Sequence, residues 1–282
     1  MIESPFFTQF LKISNAYTLI AIILLVLSIG FLKVLKDKRT GFSKRLIIAL
    51  VIGLVLGIAI DLVGKSSPIF LDYGRREISV WYSLVGTGFL KLVQLLAIPV
   101  VFLSIIQVVV NVEGDRIKSL TGRTFATLLG TTAISAIVGI LVVKLFNLQG
   151  ASFAGDLTDA KAESIGTIAA QSFPEFFLKL IPNNIFQVMS DNGSIVSVVI
   201  IAAMFASAIR FLQVKKPKEV APFMVLLDSL KVTVNSVLTN VIKLMPYGIV
   251  ALVSNTIISN GVEAIIGMLG FIVALYTGVF IM

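Results

Sequence analysis

The 282-residue sequence contains no cysteine and no histidine. Disulfides, thiolate chemistry and the usual zinc ligand sets are thereby excluded, as is a pH switch built on imidazole. Charge is also scarce. Asp, Glu, Lys and Arg make up 13% of the chain, about half the share found in soluble domains. No P-loop, G-x-S-x-G or H-E-x-x-H motif occurs. The familiar machinery of an ATP-driven pump or a membrane hydrolase is missing, and no enzyme is expected. No arginine and no carboxylate falls near the middle of any full apolar run.

Apolar sequence is abundant instead. Hydrophobic residues make up 57%, and the mean hydropathy is +1.02. They are gathered into long runs, which marks an integral membrane protein of the all-α class. Seven segments stand out: 17–35, 46–63, 80–110, 125–146, 174–212, 222–253 and 262–282. The first follows "MIESPFFTQF", which has neither a positive n-region nor a cleavage site, so it reads as a retained helix. The third, fifth and sixth exceed the roughly 20 residues a span needs and contain proline. They are expected to be tilted or broken, at Pro99, "IPNN" and "MPYG". A break inside lipid persists only where protein or water covers the freed carbonyls.

The net charge of +8 has a simple origin. Lys33, Lys36, Lys38, Arg39, Lys44 and Arg45 cluster after the first segment, and the third and fifth loops are also basic. The second loop is nearly balanced and the fourth, 147–173, is acidic and Gly-bearing. Positive loops on the cytoplasmic side place the N-terminus outside and make 147–173 an external loop. Nucleic acid is not required to explain the charge.

Polar residues within the runs are mostly hydroxyls and amides. Thr131 and Ser135 share a helix face in "GTTAISAIVG". They suit a cation site or a helix contact, and equally hydrogen bonds back to their own helix backbone. Asn235, Ser236, Thr239, Asn240 and Lys243 form a polar stripe that should face protein or water. Gly53 and Gly57 make a G-x-x-x-G that permits close helix approach. Lys91 has a stem long enough to reach an interface.

Four stretches carry a resemblance. "FLKLVQLLAIPVVFLSII" (89–106), "VGILVVKLFN" (138–147), "LIPNNIFQVMSDNGSIVSVVIIAAMFASAI" (180–209) and "LMPYGIVALV" (244–253) resemble, in order and spacing, helices of the dicarboxylate/amino acid:cation symporters. The likeness runs from about residue 46 to the end, and is nearest to the bacterial L-cystine carriers of that family. It implies an elevator-type fold, a homotrimer in the bacterial plasma membrane, and a small amino-acid substrate. It divides the chain into an additional helix with a basic loop (1–45), scaffold helices (46–110 and 174–258), a transport-domain helix (111–146), the external loop (147–173) and the beginning of a further transport-domain helix (259–282). It implies a cation site at Thr131 and Thr132, with the coupling ion, Na+ or H+, left open and no cofactor. The aromatic pair of some members is replaced by Thr127 and Leu128. The family's substrate-binding hairpins and last helix would follow Met282, so the chain is expected to be an N-terminal portion, inactive alone. Alternatives are a glutamate, aspartate or C4-dicarboxylate symporter, and a non-transporting scaffold subunit.

Overall fold

The computed structural model describes residues 5–66, 74–111, 114–146 and 172–282. The expected external loop up to residue 171, and the loop carboxylates Asp72, Glu113, Asp156, Asp159 and Glu163, lie outside them. The described residues are helical, with no strand among them. The helices are α1 (Ala16–Asp37), α2 (Phe42–Lys65), α3 (Arg75–Asn111), α4 (Gly114–Leu145), α5 (Phe173–Leu180), α6 (Ile185–Ser190), α7 (Ile195–Lys215), α8 (Pro217–Ile242) and α9 (Met245–Ile281). Six stretches among them are long and apolar enough to cross a membrane.

Local sequence sets the helix ends. Asn15 caps α1 by accepting the Thr18 amide at 2.9 Å. At the other end Arg39 adopts φ 57°, and the Thr40 amide reaches back to the Leu35 carbonyl at 3.1 Å, closing α1 with a left-handed turn. The break expected at "IPNN" is present. α5 ends at Leu180, and Asn184 starts α6 by accepting the Phe186 and Gln187 amides. A second break follows, where Asp191 accepts the Gly193 amide before α7. Near "MPYG" the chain turns at Lys243–Leu244, and Pro246 falls in the first turn of α9, where its missing N–H costs nothing. α3 behaves differently: it runs through Pro99 without interruption for 37 residues. α9 joins the end of the sixth segment to the seventh, with Gly261 between them at φ 81°, ψ 164°. Only glycine adopts that conformation cheaply.

The chain forms two compact units. The first is drawn mainly from Met1–Leu92 and Val241–Tyr276. Its core gathers Ala21, Leu25 and Leu32 of α1, Ala49 of α2, Ile78 and Tyr82 of α3, and Val250, Ala251 and Ile258 of α9. The α1 positions recur at helical spacing and present one face. The second is drawn mainly from Val93–Leu145, Asp156–Asn240 and Thr277–Met282. There, Leu103, Ile106 and Val110 of α3 pack with Ala202, Ala206 and Ile209 of α7 and with Val220 and Leu227 of α8. Outward faces are strongly apolar; Val26, Leu27 and Ile47 are all more than 60% exposed, as suits lipid contact.

Candidate functional site

α2 carries a buried stripe one helical turn apart: Arg45, Ala49, Gly53, Gly57, Asp61 and Gly64. Its glycines admit α9. A Cβ on Gly53 would stand 3.0 Å from the Val253 Cβ, and one on Gly57 only 2.7 Å from the Ile257 side chain. The G-x-x-x-G pattern therefore serves as a contact face. The Ser254 hydroxyl donates to the Gly53 carbonyl at 2.9 Å inside this contact. Gly86 of α3 gives α9 a second close approach, against Leu252. Arg45, expected in the basic loop, is instead folded into the first turn of α2 and buried.

Near the end of the stripe stands Asp61, whose side chain is fully buried. It accepts a hydrogen bond from Arg75 at 2.7 Å and pairs with Lys65 at 3.3 Å. It also accepts the Val262 amide at 3.2 Å. That amide begins the helical stretch after the Gly261 kink, where backbone donors lack intrahelical partners. Asp61 thus caps the second part of α9 from another helix. The sequence places it only at the end of a span and gives no signal of this role.

Glu77, in the first turn of α3 and buried, is a second node. Its carboxylate accepts from the Ser14 amide and hydroxyl, from Asn15 Nδ2 at 3.1 Å and from the Thr18 hydroxyl at 2.8 Å. Tyr82 adds a buried bond from its hydroxyl to the Ala21 carbonyl. Read as a loop charge in the sequence, Glu77 fastens the start of α1 to α3.

A third cluster lies in the other unit. Gln107 of α3 donates to Asp228 and accepts from Lys231 of α8. One amide thereby bridges an anion and a cation that are three residues apart on one helix.

The candidate cation residues lie on α4. Thr131 is exposed, and its hydroxyl donates to the Thr127 carbonyl at 2.9 Å and the Leu128 carbonyl at 3.1 Å. Thr132 is exposed beside it. Ser135 donates to the Thr131 carbonyl and lies 3.0 Å from the Met282 sulfur. The backbone carbonyls near Thr127–Thr131 and these hydroxyls are all oxygens, the ligand type a hard cation takes. Among the described residues no group of three or more His, Cys, Asp or Glu is placed to hold a metal. The polar stripe Asn235, Ser236, Thr239 and Asn240 is exposed on α8.

The sequence profile of the sodium:dicarboxylate symporter family matches residues 42–282, from the first residue of α2 onward. The chain belongs to that family. It is a multi-pass membrane protein. It is 29% identical over 269 residues to the L-cystine uptake protein TcyP of Bacillus subtilis (strain 168), and 28% identical over 276 residues to TcyP of Bacillus licheniformis. These alignments cover 92% and 94% of this chain, and 57% and 59% of the relatives. The chain thus spans under three-fifths of the length of these curated relatives. α1 precedes the symporter-family region, and Glu77 and Tyr82 tie it to α3 inside that region.

Proposed function

We propose that this symporter-family chain belongs to a cation-coupled carrier that takes up L-cystine across a bacterial plasma membrane. The observation that carries this reading is its similarity to the L-cystine uptake proteins over more than nine-tenths of its length. The protein works as a homotrimer with its N-terminus outside, and residues 46–110 and 174–258 supply the stationary scaffold. α4 moves with the substrate and brings Thr131 and Thr132 to a site for Na+ or H+. Hydroxyl and carbonyl oxygens at such a site replace the hydration shell of a small cation. The test is uptake of labelled L-cystine by cells with the gene intact or deleted. Loss of a saturable component on deletion supports the reading, and unchanged uptake overturns it. Thr131→Val and Thr132→Val should raise the cation concentration needed for half-maximal uptake; an unmoved cation dependence removes these two residues from the site.

A second reading is favoured by the family's own description, which names dicarboxylates. In it the same fold carries aspartate, glutamate or a C4-dicarboxylate. Unlabelled L-cystine in excess would then leave labelled aspartate uptake unaffected.

A further inference from the structure

The segment ahead of α1 does more than lead into it. Residues Phe6–Phe10 form one π-helical turn, and Lys12 then turns the chain at φ 55°. The segment is held along α3 at two points. The Trp81 indole donates to the Leu11 carbonyl at 2.9 Å, and Ser14 bonds Glu77. Between segment and helix runs an open groove of about 420 Å³, lined by Phe10, Lys12, Trp81, Leu84, Gly88 and Lys91 among others.

Three features of this groove are unusual for a membrane-spanning region. First, its lining contains two lysines and no carboxylate. Both lysines are exposed, and among the described residues neither has an ion-pair or hydrogen-bond partner. Unpaired ammonium groups beside lipid are costly unless a counter-charge or water meets them. Second, the remaining wall is apolar and aromatic. Phe6 and Phe10, on the same turn, are 55% and 75% exposed and stack on each other. Aromatic rings of this kind settle at the membrane–water interface. Third, Gly88 leaves the floor open: a Cβ there would meet nothing within 4 Å. Lys91 lies ten residues beyond Trp81, about 15 Å along the helix. Side chains on a helix lean toward its N-terminus, so the flexible Lys91 stem can reach back along the groove that Lys12 also lines.

We infer that this groove binds an anionic phospholipid, its phosphate set by Lys12 and Lys91 and an acyl chain lying over Leu84 and Trp81. Charge complementarity selects the headgroup: two positive side chains in an acid-free groove favour phosphatidylglycerol over the zwitterionic phosphatidylcholine. Residues 10–12 precede the region that defines the family, so this site depends on the additional N-terminal segment.

The protein reports on the site itself, because Trp81 is its single tryptophan. The experiment reconstitutes the full chain in nanodiscs and measures Trp81 quenching by brominated phosphatidylglycerol and brominated phosphatidylcholine. Two lysines near an anionic headgroup should give a preference on the order of tenfold for phosphatidylglycerol. K12Q/K91Q should abolish that preference. Gly88→Leu, whose Cβ meets nothing within 4 Å, should lower quenching by both lipids while the circular dichroism spectrum stays unchanged. Inorganic phosphate should not compete. Equal quenching by the two lipids in the parent protein, a preference that survives K12Q/K91Q, undiminished quenching in Gly88→Leu, or displacement by inorganic phosphate would each overturn the assignment.

Discussion

Replacing Asp61 by asparagine isolates the charge of the best-buried carboxylate in the first unit. The substitution keeps the shape and one acceptor for the Val262 amide, but takes the counter-charge from Arg75 and Lys65. Removing one partner of a buried ion pair costs about 3–5 kcal/mol. Here Arg75 and Lys65 are 29% and 34% exposed, so water takes over part of the lost interaction, and about 2 kcal/mol is the expected cost. With an unfolding entropy of about 2.1 cal/mol/K per residue, a chain of this length should lose about 3 °C in Tm. The assay is thermal unfolding of the detergent-solubilised chain, followed by circular dichroism. The double variant Asp61→Asn/Arg75→Gln should recover at least about 1 kcal/mol of the summed single losses, because the two groups share one interaction. A Tm within about 1 °C of the parent, or strictly additive losses, would refute the argument that Asp61 works through these cations.

Further outcomes follow from the same contacts. Gly57→Val puts a Cβ at 2.7 Å from Ile257, which is fully buried, and should cost about 1–3 kcal/mol or more through overpacking; Gly30→Ala, with nothing within 4 Å, should not lower Tm in the same melt. Glu77→Ala removes the acceptor shared by Ser14, Asn15 and Thr18, so amide exchange over 14–18 should speed up by about tenfold; unchanged exchange would mean that the start of α1 is held without the Glu77 bonds. At the start of α5, the Ser172 backbone amide, the Ser172 hydroxyl and Lys179 hold the Glu175 carboxyl below its ordinary value of 4.5. A carboxyl lowered by folding stabilises the helix start above that value and loses the contribution as pH falls below it. Exchange at α5 amides, referenced to Glu175→Gln, should therefore match a pH-independent cap from pH 7 to about 5 and loosen below about 4. Gln107→Leu should lower Tm in the other unit, since it strips the bridge from both Asp228 and Lys231.

Much of this architecture was legible in the sequence because lipid leaves few options. Long apolar runs must be helical, and the breaks at "IPNN" and just before "MPYG" follow from proline and asparagine chemistry. Even the Gly53–Gly57 contact rests on a pattern readable by eye, although the pattern does not name α9 as the partner. At Pro99, where either a tilted or a broken helix was expected, there is no break: α3 continues through it, since one missing donor is tolerated when neighbouring turns adjust. Gly261 carries a break that no proline announces. Asp61 and Glu77 were hidden for a different reason. Both lie at the ends of apolar runs, where a carboxylate reads as a loop charge. Their roles depend on partners 63 residues away for Ser14 and Glu77, and 201 residues away for Asp61 and Val262. Periodicity within one helix holds no information about such pairs. Thr131 and Ser135 show a related ambiguity, because a hydroxyl that bonds its own helix and one that faces a cation leave the same mark in the sequence.

Cation-coupled uptake of L-cystine is tested by driving transport with an imposed gradient. Membrane vesicles from cells expressing the gene would be given an inward Na+ or H+ gradient, and labelled L-cystine accumulation followed with unlabelled L-cystine or aspartate as competitor. Gradient-dependent accumulation is expected, abolished by excess L-cystine and left in place by aspartate. Accumulation that ignores both cation gradients, or that aspartate abolishes while L-cystine does not, would contradict cation-coupled L-cystine uptake.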